Sequence, residues 1–407
     1  RRLEGIPLAI ELAAARLRVL SIDQIAEQLA DRYRLLSSGP TGAEPRQQTL
    51  RNLIDWSFAL CTPGEQQLWQ RLTIFAPEFD LSAVEDVCWD PAPGGGVALE
   101  LLAALVDKSI VMVDAEASAA TARYRMLDTI REYGREKLDS SGEAPWLARR
   151  HLGRYARMVL EHEDLRFDRL PSNWLALLRD EQSNLRASLE NALGMLAPDA
   201  ADVALRMAGT LWLHWIGMGA YAEARYWLDR ALSLPIASKA ARARALWVDA
   251  YFALMQGDLA AADTLRKLGR REAEEAHDHV SLRFVTQVDG MAALFRGDAA
   301  TAAADLGDAL AGHRADGHMV GVADTMFFLI FATSMLGDHD HAAKLGGEYL
   351  RMWVDRDDPW QQAWAQWSLG MVAWRRATGP RPTRQCAASY ASCVSTTTGP
   401  ASRSAWR

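Results

Sequence analysis

Apolar residues recur every three or four positions along most of the chain, which is the spacing of one face of an α-helix. The first such stretch follows Pro7, a residue that suits the first turn of a helix. The second begins after Ser21, a residue type that caps helices through its hydroxyl oxygen. Residues 37–42 then form a loop rich in serine, glycine and proline. The pattern predicts a mainly α protein with a first boundary at this loop.

The pattern changes after Gln47, where helices are followed by two short strands. The predicted helices are one capped by Thr49 and running through Leu60, one capped by Thr62, one starting at Ser82 and one over 97–106. β-Rich runs at 110–113 and 124–126, joined by an Ala/Ser-rich loop, predict an antiparallel hairpin. Helices followed by such a hairpin predict a winged helix with a small β-hairpin.

A recurring turn marks the second half of the chain. Its glycines are spaced by 38, 40 and 40 residues, and an alanine stands five residues after each of them. The glycines are Gly219, Gly257, Gly297 and Gly337, and the alanines are Ala224, Ala262, Ala302 and Ala342. Self-similarity at this period is typical of a solenoid. The array over 196–376 resembles lengthened tetratricopeptide repeats, which are pairs of helices.

Tryptophan is common in this array. We predict that most of these side chains pack between repeats. An aromatic ligand cage on the concave face is the alternative. The residues are Trp212, Trp215, Trp227, Trp247, Trp364, Trp367 and Trp374.

Composition narrows the classes of function. The net charge of −7 over 407 residues gives no sign of a surface that coats nucleic acid, because phosphate binding needs clustered lysine and arginine. The 4 cysteines form no C-x-x-C pair, which favours reduced thiols. The longest apolar run, 326–336, is too short to span a membrane. We therefore expect a cytoplasmic location and no membrane partner.

Two sets of motifs resemble a known family. The first is the Gly-x-Pro motif within Gly5-Ile6-Pro7-Leu8. The second consists of Arg-Gln-Gln-Thr-Leu-Arg from residue 46, Leu-Thr-Ile-Phe-Ala over 72–76 and Tyr-Arg-Met-Leu-Asp-Thr-Ile-Arg-Glu-Tyr over 124–133. Together they resemble the bacterial LuxR-type and AfsR-like transcriptional regulators of the signal-transducing (NB-ARC-like, STAND) ATPase class. The resemblance covers roughly residues 3–190 and implies that the chain carries the lid end, the winged helix and the repeats of such a regulator.

The resemblance also implies a nucleotide site. In that family the proline of Gly-x-Pro approaches the adenine, and a Met-His-Asp motif lies near the β-phosphate. The matching residues here are Gly5, Pro7, Leu8 and Asp128, and the implied cofactor is ATP or ADP in the intact protein. Leu127 replaces the histidine and has no hydrogen to donate to phosphate, so no nucleotide is expected to bind this chain tightly.

Two of these residues have simpler interpretations. Pro7 suits the start of a helix without any ligand. Asp128 is a preferred residue type for the cap of the helix that follows it. Both alternatives remain open on the sequence alone.

The candidate recognition helix of the winged helix contradicts a role in reading DNA. Residues 97–107 contain no Arg, Lys, Asn or Gln, the side chains that read base edges. Their only polar side chains belong to Glu100 and Asp107. We predict that this helix packs against protein as an intramolecular lever, and that DNA is bound only through a module outside this chain.

Catalytic and metal-binding patterns are absent from the sequence. No G-x-x-x-x-G-K-[ST] loop occurs, so the chain is predicted not to be an enzyme, although the intact protein would be a slow ATPase switch. Six histidines are interpreted as solvated loop residues, because histidines two positions apart on a helix diverge. They are His277, His279, His313, His318, His339 and His341. No metal site is predicted.

The predicted organisation is a lid remnant over 1–45, a winged helix over 46–140, a helical connector over 141–195, tetratricopeptide-like repeats over 196–376 and a disordered tail over 377–407. The tail loses the periodicity, and reading its codons one base earlier can restore a glycine at position 377, so a frameshift is one hypothesis. The predicted function is the regulatory and sensor portion of a transcriptional regulator whose repeats bind a protein or small-molecule inducer. A repeat scaffold from a degraded gene, or the sensory tail of a cyclase or kinase, are the alternatives.

Overall fold

A computed structural model describes residues 45–89, 96–114, 122–164, 173–195, 197–235, 238–354 and 359–377, with six isolated positions before residue 45. The chain forms two compact units. The first comprises Arg1–Met158 and Ala176–Gly194, and the second comprises Val159–Leu175 and Met195–Arg407. The predicted lid remnant lies almost wholly outside the described residues, as does the tail after Ala377. The fold is mainly α, as predicted.

The first unit contains the predicted winged helix. Its helices are α1 Pro45–Ala59, α2 Pro63–Leu72, α3 Leu81–Cys88, α4 Val97–Asp107, α5 Asp128–Ser141, most of α6 Ala144–Leu160, part of α7 Trp174–Asp180 and α8 Gln182–Gly194. Its strands are β1 Glu78–Asp80, β2 Met112–Asp114 and β3 Arg123–Arg125.

Local capping explains where two of these helices begin. The Thr62 hydroxyl accepts the Glu65 backbone N–H, and the Glu65 side chain accepts the Thr62 N–H, which completes a capping box at α2. Helix α3 begins one residue before the predicted Ser82, because the Asp80 carboxylate accepts the Ala83 N–H at 2.6 Å and caps it.

The sheet has three strands where the sequence predicted a hairpin. β3 lies in the centre and pairs antiparallel with both β1 and β2, so that Phe79 and Val113 both oppose Tyr124. The predicted hairpin is present as β2 and β3. β1 was missed because Glu-Phe-Asp is short and lacks the β-branched residues that signal a strand.

The core of the first unit depends on one close helix contact. Trp69 and Phe75 are almost fully buried, and the ring of Trp69 packs against Phe58 and Tyr133 at 5.3 and 5.7 Å. A Cβ atom on Gly134 would lie 2.8 Å from the Thr73 methyl carbon and 2.9 Å from the Trp69 ring. Glycine is therefore required for α5 to approach α2 this closely.

The second unit is an array of antiparallel helix pairs. Its helices are α9 Pro198–Thr210, α10 Trp212–Met218, α11 Tyr221–Leu232, α12 Lys239–Met255, α13 Leu259–Glu275, α14 His279–Phe295, α15 Ala299–Ala315, α16 Met319–Met335, α17 His339–Val354 and α18 Pro359–Arg376. Consecutive helices pack against each other throughout α11–α18. Among the described residues of both units, no helix has the length and hydropathy needed to cross a bilayer.

The predicted repeat signal is confirmed in detail. Each of the four turn glycines has a positive φ, between 63° and 85°, a conformation that glycine adopts without strain. The four alanines that follow are completely buried, with 0% exposure. A side chain larger than methyl at these places would separate the paired helices.

The tryptophans of the array divide into two groups. Trp212, Trp215, Trp227 and Trp247 are buried, which confirms packing for these four. The remaining three lie on α18 and are half-buried. They are Trp364, Trp367 and Trp374.

Candidate functional site

Helix α4 presents an apolar and acidic surface. Its inner face buries Ala98, Leu102 and Leu105 in the first unit. Its outer face exposes 42% of Val97 and 47% of Leu99. The acids of this helix, Glu100 and Asp107, are exposed as well. This face lacks the donors and positive charge that contact with DNA needs.

Lys108, which directly follows α4, already has a partner within the protein. The ammonium group of Lys108 forms an ion pair with Glu65, whose side chain is only 7% exposed. Since Glu65 also completes the capping box of α2, Lys108 neutralises a structural carboxylate. On strand β2, the next element along the chain, Val113 is another exposed apolar residue, at 48% exposure.

Of the four predicted nucleotide contacts, only one lies among the described residues. Gly5, Pro7 and Leu8 fall outside them. Asp128 is the first residue of α5, and its 88% exposed carboxylate accepts a hydrogen bond from Arg131 at 3.0 Å. The residue at the cap position is Leu127, with no side-chain cap, so the capping interpretation of Asp128 is wrong. The physical reason is that the helix begins at Asp128 itself, one residue earlier than a capping aspartate at this position requires.

An open cleft of about 400 Å³ lies beside this end of α5. Arg131 and Arg135 line it from α5, Arg186 lines it from α8, and residues 73–77 form another wall. Arg131 is paired with Asp128, and Arg135 with Asp139 at 3.3 Å. Both of these arginines thus have a carboxylate partner, which reduces the positive charge beside the cleft.

A buried polar network fixes the sheet to α6, α7 and α8. Arg123 of β3 forms an ion pair with Glu181, and their side chains are 8% and 3% exposed. The Tyr155 hydroxyl and the Asn184 amide both donate to the second oxygen of Glu181, at 3.1 and 2.7 Å. Burial, followed by the charge of Glu181, raises the pKa of Tyr155, which keeps this hydroxyl a donor.

Asn184 completes this network by binding the chain before β1. Its oxygen accepts the Ala76 N–H at 2.8 Å, and its amide also donates to the Glu78 carbonyl at 2.9 Å. No local sequence pattern predicts these contacts, because the partners are more than 100 positions apart.

Aromatic packing fills one end of the repeat array. Trp247 stacks on Phe284 with ring centroids 4.2 Å apart and planes 4° from parallel, and Trp212 meets both rings edge-on. Arg244 lies beside these rings and lines a residual cavity of about 10 Å³. That volume suits about one water molecule, so these buried tryptophans form a core and leave no room for a ligand cage.

Further along the array, a polar row crosses the aligned helices α12, α14 and α16. The Asp324 carboxylate accepts hydrogen bonds from the Tyr251 hydroxyl at 3.2 Å and from the Gln287 amide. The Gln287 oxygen lies 2.8 Å from the Thr325 hydroxyl and 3.2 Å from His313 Nε2. Gln287 is fully buried, whereas Asp324 keeps partial exposure.

The histidine prediction was partly wrong. His277, His279 and His341 are exposed as expected, but His313 is 1% exposed and packs against Phe284 at 4.6 Å. Burial, followed by the charges of His318 and Arg283, lowers the pKa of His313 to about 3. It is therefore a neutral core residue. His318 is half-buried and caps α16 through Nδ1, which accepts the Gly321 N–H at 3.1 Å.

Side chains of the types that bind metals do not cluster among the described residues. Within the part of the chain that the structure describes, no group of three or more His, Cys, Asp or Glu side chains could hold a metal ion.

Comparisons with known proteins place these features in context. Residues 62–139 match the family model of the winged helix-turn-helix domain. A Mycobacterium tuberculosis protein that carries the name of an HTH-type transcriptional regulator is 42% identical over 255 residues, which cover 60% of this chain and 28% of that protein. The regulatory protein AfsR of Streptomyces coelicolor is 26% identical over 400 residues, covering 91% of this chain and 39% of AfsR. The chain is similar to AfsR-type regulators.

A solved structure has the same fold. It is a signal transduction ATPase with numerous domains and a tetratricopeptide repeat sensor, from Pyrococcus horikoshii. The TM-score is 0.51 at 12% identity, and the match covers 95% of this chain and 60% of that one. These comparisons confirm the resemblance to AfsR-like regulators in sequence and to a STAND protein in fold. The chain spans between about a quarter and two-fifths of the length of the two regulators named above.

Proposed function

We propose that this chain is the regulatory and sensor portion of an ATP-dependent transcriptional regulator. The repeats bind a protein or small-molecule inducer, and the winged helix relays that event to an ATPase module. The DNA-binding module lies outside this chain. The names of the mycobacterial and Streptomyces relatives, and the repeat sensor named for the Pyrococcus structure, support this assignment.

The surface of α4 is the observation that carries the proposal. A winged helix that reads DNA places donors from this helix in the major groove. Here the outward side chains are Val97, Leu99, Glu100 and Asp107. An exposed apolar stripe with flanking acids is suited to contact with protein and is repelled by phosphate.

The nucleotide remains part of the proposal by resemblance. Contacts from Gly5, Pro7 and Leu8 to ATP or ADP would belong to the intact protein. Among the described residues, Arg131 and the uncapped start of α5 suit a phosphate group, whereas the Asp128 carboxylate repels one and Leu127 offers no donor. The fit is incomplete, so no step of the proposed relay is routed through Asp128.

A selection from random duplex DNA tests the winged helix. The full chain is immobilised at physiological salt, and bound sequences are read after several rounds. We expect no enriched motif. A motif that is enriched with the natural chain and lost with Lys108→Ala would establish the competing function of a DNA reader, which the match to the winged helix-turn-helix family favours.

A chimera tests the relay itself. The chain replaces the matching segment of the mycobacterial relative, and release of a fluorescent ADP analogue is followed. If α4 contacts the ATPase module, Val97→Ser with Leu99→Ser should change the release rate severalfold. Leu60→Ser, which alters another exposed apolar residue of the same unit at 37% exposure, should leave it unchanged. Equal rates in all three chimeras would overturn the relay.

A further inference from the structure

Arginine–carboxylate pairs join neighbouring helices along the repeat array. Asp289 of α14 contacts Arg266 and Arg270 of α13, and Asp249 of α12 accepts from Arg225 of α11 at 3.1 Å. Both aspartates are the eleventh residue of their helices. Each carboxylate therefore finds its cation on the preceding helix.

Asp324 departs from this pattern. It is the sixth residue of α16, so it lies roughly 140° around the helix from the position that Asp249 and Asp289 occupy. Among the described residues, its hydrogen-bond partners are the uncharged side chains of Tyr251 and Gln287. This carboxylate has donors on two sides and no cation.

The orientation of the Gln287 amide favours the ionised state of Asp324. Its oxygen faces the Thr325 hydroxyl and His313 Nε2, and neutral His313 can donate from that nitrogen. With the oxygen so occupied, the amide group of Gln287 points its hydrogens at Asp324. The network thus favours the ionised form of Asp324, which accepts both hydrogen bonds. Burial acts against this form and raises the pKa of the carboxyl to about 7, whereas the hydrogen bonds from Tyr251 and Gln287 oppose that rise.

Tyr251, which donates to Asp324, belongs to an aromatic cluster. The Tyr251 ring lies 6.2 Å from that of Phe328. Tyr221, at the start of α11, stacks on Phe252 at 5.6 Å, and Phe252 meets the Tyr251 ring at 5.7 Å. Burial, followed by the charge of Asp324, raises the pKa of the Tyr221 hydroxyl. Tyr221 and Asp324 are both partly exposed, so this part of the cluster is accessible to solvent. A partly exposed carboxylate with tyrosine side chains beside it is the chemistry that recognises an alkylammonium group.

We propose that Asp324, with Tyr221 and Tyr251, binds a protonated primary amine, carried either by a small molecule or by a lysine side chain of a peptide. The proposal rests on the function of the repeats as a sensor and names the chemical group that they sense. The ammonium ion supplies the positive charge that Arg225 or Arg266 supplies to other carboxylates of the array.

Dansylcadaverine, a primary amine with a fluorophore, is a suitable probe for the full chain. Its N-acetylated form has the same apolar body without the charge. We expect the amine to bind the natural chain and the acetylated form to bind at least tenfold more weakly. Asp324→Asn should weaken amine binding at least tenfold. Asp316→Asn, which removes a carboxylate paired with Arg283, should leave it unchanged.

The choice of variants separates the outcomes. Asn retains both hydrogen bonds at position 324, because the tyrosine hydroxyl can accept as well as donate. Circular dichroism checks that the variant folds. Competition by a lysine peptide but not by free butylamine would assign the site to peptides, and the reverse result to small amines. Equal binding of amine and acetylated probe, or full binding by Asp324→Asn, overturns the amine site. Neither result affects the chimera experiment, which tests the relay separately.

Discussion

Among the described residues Asp324 has no cationic partner, and this makes the stability of the fold depend on pH. An aspartate titrates near 3.8 when unfolded, whereas the pKa of Asp324 in the folded chain is about 7 because it is buried. Well below pH 3.8 the carboxyl is neutral in both states and carries no penalty. As the pH rises towards 7, the unfolded chain releases its proton first, so the folded state loses relative stability. Above pH 7 the full penalty is present.

The size of the penalty follows from the two pKa values. Each pH unit between them corresponds to about 1.4 kcal/mol, which gives an upper bound of about 4 kcal/mol. Because Asp324 keeps partial exposure, solvent screening lowers this value, and we expect about 2 kcal/mol. Asp324→Asn removes the charge while keeping both hydrogen bonds. It should therefore stabilise the repeat unit by about 2 kcal/mol at pH 8 and by little at pH 4.

Thermal unfolding of the full chain, followed by circular dichroism at pH 4, 6 and 8, measures this effect. A gain of 2 kcal/mol corresponds to roughly 4–8 °C for a unit of this size. Asp289→Asn is the matched control, because the same substitution there removes the partner of Arg266 and Arg270. It should destabilise the unit by about 1 kcal/mol at pH 8. The reasoning is refuted if Asp324→Asn gives the same shift at pH 4 and pH 8, or destabilises at pH 8.

Three further predictions concern the first unit and the nucleotide. Gly134→Ala should lower the free energy of unfolding by about 1–2 kcal/mol, because its methyl group would meet Thr73 and Trp69. Gly153→Ala, which has open space around it, should raise the free energy of unfolding by up to about 1 kcal/mol. Urea unfolding measures both variants, and shifts in the same direction would contradict the packing argument. Glu181→Gln should destabilise by about 3–5 kcal/mol by leaving Arg123 buried without its partner, and a loss no larger than that of Glu136→Gln in an exposed pair would refute this. The chain should show no ATP hydrolysis and at most very weak ADP binding, and calorimetry giving micromolar ADP affinity that Pro7→Ala abolishes would contradict this.

Features with a local physical cause could be predicted from the sequence. The glycine of each repeat turn needs a positive φ, and the alanine five residues later needs to be small, so both appear as a period in the chain. The capping box of α2 is likewise contained in four consecutive residues. These signals depend on neighbours in sequence, and from them the mainly α fold with a small β-hairpin and helix pairs could be predicted.

Features that depend on distant partners could not be predicted in this way. Nothing near Asp324 in the sequence shows that its partners come from α12 and α14, or that an arginine is missing from its surroundings. His313 was interpreted as a solvated loop residue, yet it lies in α15, and Phe284 of α14 packs against it. The nucleotide contacts were predicted from sequence motifs. The amine site at Asp324 could be proposed only from the contacts of Asp324 in the folded chain.

The short edges of the three-stranded sheet affect how the protein behaves at high concentration. Both outer strands, β1 and β2, are three residues long and carry acidic side chains, Glu78 and Asp80 on one and Asp114 on the other. A long, flat and apolar edge would offer its unpaired backbone groups to a second molecule. Short acidic edges repel one another instead. These edges can therefore face solvent at high concentration without recruiting other chains into an aggregated sheet.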